Sequence, residues 1–258
     1  LKLWTILGAA ALAVLLTACV TGGGRAAQGA TFVVNTDRTQ PLFEANFTFG
    51  LSHTHYWWHV YNRRAVDRAK ELVRSVASIH NVHIMGWGSR NPWPSRDAPF
   101  DFTDIRDRVD LFLELGGEPW ITLCTAPGWI KGAYDWDMYA APLPEKEHYF
   151  VYLSARIAEA FPEVRVFQVW NEFKGMWVDG GQVDYVRYTR LYNAIYEAIK
   201  AVRPDALIGG FYAVLEGDGT RATFGDAFPD DRHTSEPLNY LSRAAIEYFL
   251  ENAVGVDY

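Results

Sequence analysis

The sequence predicts a parallel α/β fold, and three observations carry that prediction. Short strand-like apolar runs alternate with longer helical ones from about residue 42 onward. The run at 164–170 is almost wholly apolar on both faces, as expected of a strand buried inside a parallel sheet. The strands recur roughly every 40 residues, room for one strand, one helix and the loops that join them.

Each element has its own local reason. The first strand falls at 45–50, and a helix follows with Ala65, Ala69, Leu72, Val73 and Val76 along one stripe. The second strand is expected at 82–85. Asp101 or Thr103 can cap the next helix, which carries Ile105, Val109, Phe112 and Leu113 and stops at Gly116-Gly117. Residues 119–123 make the third strand. Phe150, Leu153, Ile157 and Phe161 form the stripe of the third helix, which ends before Pro162. After the fourth strand at 164–170, Tyr188, Leu191, Tyr192, Ile195, Ile199 and Val202 mark the fourth helix, closed by Pro204. The fifth strand lies at 206–210, a helix covers 244–250, and a sixth strand begins at 254–258.

Six strands in 258 residues fit either an open sheet or a piece of an eight-unit barrel. Eight units at this spacing need well over about 300 residues, within the upper range of such barrels. The sequence starts at Leu1 without Met and has no helix or cap after Asp257-Tyr258, which favours a fragment of a barrel. Such a piece is expected to be inactive and poorly stable, because unpaired strand edges invite association.

Composition narrows the partners. With 49% hydrophobic residues the chain can bury one sizeable core, read here as a single globular domain over residues 42–258. A formal net charge of -7 argues against nucleic acid, which demands a basic face. Ten Trp and fourteen Tyr tilt the reading toward carbohydrate, because aromatic faces stack on the CH faces of sugar rings while their edges donate hydrogen bonds. Residues 3–16 form an apolar run behind Lys2, too short to span a bilayer and laid out like a signal peptide. The run ends in Leu16-Thr17-Ala18-Cys19, which resembles the bacterial lipobox. Residues 1–19 are therefore expected to be a lipoprotein signal peptide with Cys19 lipidated, anchoring an extracytoplasmic protein to the cell envelope. An ordinary signal peptide with an incidental Cys is the alternative. Residues 20–41, opening on Thr21-Gly22-Gly23-Gly24, read as a flexible tether. With Cys19 acylated, only Cys124 remains, and no disulfide can form.

In parallel α/β folds the chemistry sits at the carboxyl ends of strands. Those ends here hold His53, His55, Trp57 and Trp58; then Arg90 and Asn91; then Cys124 and Trp129; then Asn171, Glu172, Lys174 and Trp177; then Tyr212. Aromatic rings beside polar groups are the makeup of a sugar site. Glu172 is the sharpest signal. Trp170, Phe173 and Trp177 flank it, a setting expected to desolvate the carboxyl and keep it protonated. A protonated carboxylic acid is what glycoside cleavage needs at the leaving oxygen, and Asn171 can hydrogen-bond a sugar hydroxyl. The bland reading is a rim Glu paired with Lys174 or Arg90. Cys124 has no base beside it in sequence and reads as a buried, inert thiol.

Trp170-Asn171-Glu172 at the fourth strand of a counted barrel series resembles clan A of the glycoside hydrolases. Residues 117–123 (Gly-Glu-Pro-Trp-Ile-Thr-Leu), followed by Pro127 and Trp129, and the later Gly209-Gly210, look most like glycoside hydrolase family 39. The resemblance implies a (β/α)8 TIM barrel truncated after about the sixth strand, and a retaining O-glycosidase with Glu172 as general acid/base. It implies a poly- or oligosaccharide substrate, no cofactor, and a nucleophilic Glu at strand seven, outside this sequence. Substrate contacts are expected from Asn171, His53, His55, Arg90, Trp129, Trp177 and Tyr212. One departure is the second strand, where the clan carries an Arg and this chain has Met85-Gly86-Trp87, with Arg90 the candidate substitute.

Two other functions fit parts of the pattern. A surface lipoprotein that binds sugar without cleaving it would keep the barrel and lose the nucleophile. A barrel metallohydrolase would use His53-Thr54-His55, since alternate residues at a strand end face one cavity, but a metal needs three or four ligands. The sequence supplies no convincing further ligand at strands four and five, so no metal is expected.

Overall fold

A computed structural model describes residues 50–52, 63–176, 183–210 and 240–258, with the side chains of 240–244 left aside. All of them belong to one compact unit, Phe47–Tyr258. The expected signal peptide, the tether and the residues before Gly50 lie outside the described residues.

In chain order the elements are β1 (Gly50–Ser52), α1 (Arg63–Val76), β2 (Ile79–His83), α2 (Thr103–Glu114), β3 (Glu118–Leu123), the one-turn α3 (Gly128–Lys131), a 3₁₀ turn at Pro144–Lys146, α4 (Glu147–Ala160), β4 (Val166–Val169), α5 (Tyr185–Val202), β5 (Leu207–Gly209) and α6 (Tyr240–Asn252). All strand pairs are parallel, and the sheet order is β1-β2-β3-β4-β5. The fold is thus the α/β alternation that the sequence predicts. Strictly sequential order, with no reversal across these five strands, is how the wall of a (β/α)8 barrel is laid down; a doubly wound sheet reverses at a switch point.

Helices cover one face of the sheet. Phe150, Leu153 and Ile157 of α4, and Tyr188, Leu191, Tyr192, Ile195 and Ile199 of α5, are all buried, as their stripes foretell. Each fully buried large apolar side chain contributes on the order of 1.5–3 kcal/mol. On the opposite face the strands carry polar groups: Thr122 donates to Asn81 Oδ1 at 3.0 Å, with Gln168 Oε1 3.4 Å away. Two phenols of α5 close gaps in the sheet's bonding. Tyr188 donates to the Val169 carbonyl at 2.8 Å, and Tyr192 donates to the carbonyls of Ile208 and Gly255.

Four elements differ from expectation. The second strand begins at Ile79, earlier than 82, because the backbone of the polar stretch Ile79-His80-Asn81 pairs with both β1 and β3. Ile84 and Met85 still bond across to Thr122 and Cys124 beyond the strand proper. Helix α1 leaves Leu72 and Val76 exposed and touches the core through Val73, because it accompanies the edge of the described sheet. In α2 it is Leu111, not Leu113, that is buried. Asp101 accepts from the Thr103 backbone N–H at 3.0 Å, so it ties the start of that helix from one position outside the cap. The expected sixth strand is an irregular segment. Asp257 N–H donates to the Ile208 carbonyl at 3.0 Å and Tyr258 packs on Gly209, so it lies beside β5. No helix among the described residues is long and apolar enough to cross a membrane.

Candidate active site at the end of the fourth strand

β4 ends abruptly. After Val169, Trp170 (φ 67°) and Glu172 (φ 56°) both take left-handed backbone conformations, with Asn171 between them. For residues with a side chain this region costs on the order of 1–3 kcal/mol each, and such strain gathers at functional sites. Surrounding bonds hold it. The Trp170 indole N–H donates to the Lys174 carbonyl at 2.7 Å, and its ring meets Phe150 edge-on at 5.5 Å. Gly175 (φ +76°) sits so close to the neighbouring loop that a Cβ would lie 2.3 Å from Ala141 N. Only glycine allows that approach of backbone to backbone.

The kinked segment presents Glu172 while burying its neighbours. Trp170 and Asn171 are buried, whereas the Glu172 side chain stays 29% exposed. Its partner is Lys174, whose Nζ lies 3.0 Å from Glu172 Oε2. Two of the rings that flank it in sequence, Trp170 and Phe173, pack into the core. Trp170 turns onto α4, and Phe173 is buried against Tyr188 at 5.3 Å. The left-handed backbone on either side of Asn171 re-aims these side chains, so alternation along the chain no longer tells where they point. The rim ion pair with Lys174 is what forms. Trp177 lies outside the described residues.

The end of β3 meets the end of β4 at Cys124. Its sulfur accepts from the Asn171 backbone N–H, and Lys131, Lys174 and Glu172 are its charged neighbours. Burial pushes the Cys124 thiol up to about 12, leaving it a protonated, unreactive group at neutral pH. Lys131 is buried too. Its Nζ donates to Thr125 Oγ1 (3.2 Å) and to the carbonyls of Asp135 (2.8 Å) and Asp137 (2.7 Å). Desolvation by burial pushes this ammonium down to about 8. One lysine therefore ties the strand end to the loop that follows α3.

Arg90 does not join this cluster. Its backbone N–H and its guanidinium bind the Asp104 carboxylate in the first turn of α2, at 2.7–3.1 Å, and the side chain is otherwise exposed. The loop before it is a tight turn in which Gly86, Trp87 and Gly88 all have positive φ. Trp129 is half-buried in an aromatic cluster: its indole N–H donates to the Trp93 carbonyl at 2.8 Å, and its ring lies 4.8 Å from Trp93 and 5.0 Å from Tyr149. His80 stacks on Phe112 at 4.9 Å and His83 meets Trp87 edge-on at 4.1 Å, so both serve packing. His53, His55, Tyr212 and Cys19 lie outside the described residues. Among the described residues, no three His, Cys, Asp or Glu side chains converge as metal ligands.

The loop at 132–139 adds a feature without a helical period in sequence: Tyr134, Trp136 and Tyr139 interleave with Asp135 and Asp137.

No family model and no curated protein matches the chain. Solved structures do. A family 39 glycoside hydrolase from the gut symbiont Bacteroides cellulosilyticus WH2 matches at 17% identity and TM-score 0.42, over 55% of this chain and 27% of that one. A GH39 β-xylosidase from Caulobacter crescentus matches at 21% identity and TM-score 0.47, over 63% of this chain and 39% of that one. Xylanase 10B from Thermotoga petrophila RKU-1 matches at 18% identity and TM-score 0.47, over 79% and 65% respectively. The chain spans between about a quarter and two thirds of the length of these structures. The likeness is thus to glycoside hydrolases of families 39 and 10, at low identity and over part of each chain.

Proposed function

We propose that this chain carries the acid/base half of a retaining glycoside hydrolase built on a (β/α)8 barrel, lipid-anchored through Cys19 and working outside the cytoplasm on a poly- or oligosaccharide. The observation that carries the reading is Glu172: a partly open carboxylate on a strained backbone at the carboxyl end of a central parallel strand. Glu172 protonates the glycosidic oxygen as the bond breaks, then takes a proton from the water that releases the sugar. The nucleophile is a second carboxylate on a later strand, outside these 258 residues. In a retaining enzyme the two carboxyl groups stand about 5–5.5 Å apart. Asn171, His53, His55, Arg90, Trp129, Trp177 and Tyr212 remain the proposed substrate contacts. Arg90 must leave Asp104, and Trp129 must work from the exposed part of its ring.

The Glu172–Lys174 pair favours a second reading, a sugar-binding lipoprotein that does not cleave, in which the carboxylate merely braces the rim. Replacing Glu172 by Gln in the full-length protein separates the two. Loss of a general acid should lower kcat on a natural glycoside by roughly 10²–10⁴-fold. Unchanged turnover would remove Glu172 from the catalytic role.

A further inference from the structure

The backbone at 139–141 is the wall against which the Glu172 segment is seated. A Cβ added at Gly175 would lie 2.3 Å from Ala141 N, 2.7 Å from the Ala140 carbonyl carbon and 2.7 Å from the Tyr139 carbonyl oxygen. The two backbones therefore touch with no side chain between them. Left-handed backbone at Trp170 and Glu172 persists only where the surroundings over-determine it. The place of 139–141 thus bears directly on where Glu172 points.

Lys131, only 3% exposed, fixes that wall from the inside. Its Nζ donates to the carbonyls of Asp135 at 2.8 Å and Asp137 at 2.7 Å, and to Thr125 Oγ1 at 3.2 Å just past the end of β3. Hydrogen bonds from a charged donor are the strong kind. The tie continues to the wall, because Asp137 Oδ1 accepts from the Tyr139 N–H at 2.9 Å. The same ammonium neighbours Cys124, whose sulfur accepts from the Asn171 N–H. Lys131 thus bears on the segment 170–176 by two routes, one through the loop to Gly175 and one through Cys124 to Asn171.

Other ties keep the loop in place without it. The Asp135 carboxylate accepts from Gly128 N–H at 2.7 Å and from Asn91 Nδ2 at 2.9 Å. Met138 packs on the second-strand loop, where a Cβ at Gly86 would lie 2.9 Å from its sulfur. Losing Lys131 should therefore loosen the wall rather than unfold it.

We propose that Lys131 is a positioning residue for Glu172: it holds the 135–141 backbone, and through it the Gly175 segment, so that the carboxyl stays in line with the glycosidic oxygen. The inference rests on the acid/base reading of Glu172. A misplacement of about 1 Å can cost on the order of 10²-fold in rate. The loss falls where proton transfer matters, on poor leaving groups, because a good leaving group departs without an acid.

The test uses the full-length protein and a matched pair of aryl glycosides, phenyl and dinitrophenyl, of whichever of xylose, glucose, galactose or mannose it cleaves fastest. Lys131→Met should lower kcat/KM about 30–100-fold on the phenyl glycoside and less than about threefold on the dinitrophenyl one. The ratio of the two rates does not depend on how much enzyme is folded, so a merely structural role would not move it. Lys131→Gln, one bond shorter but still a donor, should show a smaller loss of the same kind, and it decides the matter if Lys131→Met does not fold. Hydrogen exchange reads the coupling without catalysis: in either variant the amides of 171–176 should exchange about tenfold faster, together with those of 135–141. Equal losses on both glycosides, unchanged kinetics, or faster exchange confined to 135–141 would overturn the proposal. Glu172→Gln is the reference and should show the same leaving-group split. If it does and the Lys131 variants do not, the positioning role fails alone. If Glu172→Gln leaves both rates intact, or wild type cleaves neither glycoside, the acid/base reading fails, and exchange at 171–176 still decides whether Lys131 holds that segment.

Discussion

Lys174 places its ammonium 3.0 Å from the Glu172 carboxylate and 5.9 Å from the centre of the Tyr139 ring, joining the acid of one rim loop to the aromatic surface of the next. Both charged side chains are about a quarter exposed. Pairs of that kind contribute little to stability, because water screens them and two long side chains must be ordered. Lys174→Ala is therefore expected to cost no more than about 1 kcal/mol in denaturant unfolding. A loss of several kcal/mol would show that the pair is a structural brace, which would favour the non-catalytic reading of Glu172.

Gly116 and Gly175 have nearly the same backbone, φ +77° and +76°, but different surroundings. Nothing lies within 4 Å of a Cβ added at Gly116, whereas one at Gly175 would meet Ala141 N at 2.3 Å and the Tyr139 carbonyl at 2.7 Å. Gly116→Ala should cost about 1–2 kcal/mol, the price of a left-handed alanine alone. Gly175→Ala should cost more than about 3 kcal/mol, since the loops must part as well. Urea titrations of the two variants compare the terms directly. Equal losses would mean that the 139–141 backbone can yield without penalty.

Lys131 gives the stability a pH signature. Its pKa falls from 10.5 in the unfolded chain to about 8 when folded, because burial disfavours the charged form. Between those values the unfolded state binds more protons than the folded one, so this group's contribution to stability rises with pH from about 8 to 10.5. Below pH 8 the desolvation cost is present in full. Lys131→Met should lack this rise, so wild type should gain on the variant as the pH climbs through that window. Parallel unfolding curves at pH 7, 9 and 10.5 measure the difference, and a constant difference would mean that the ammonium is not the titrating group.

What the sequence determined on its own is the alternation of strands and helices and the place of Glu172 at the end of the fourth strand. Both are local: the stripe on α4 and the apolar run before Trp170 can each be read within a dozen residues. Strand starts were less legible, as at Ile79, where backbone pairing with two neighbours outweighs polar side chains. Tertiary structure alone decided the partners. Lys174 rather than Arg90 meets Glu172, because Asp104 on α2 has already taken the Arg90 guanidinium. Trp170 and Phe173 go to the core, because left-handed backbone at 170 and 172 breaks the alternation that sequence patterns assume. The exposure of Tyr134, Trp136 and Tyr139 follows from the ties at Lys131, Asp135 and Gly175, which join residues from different loops and leave no period in the sequence.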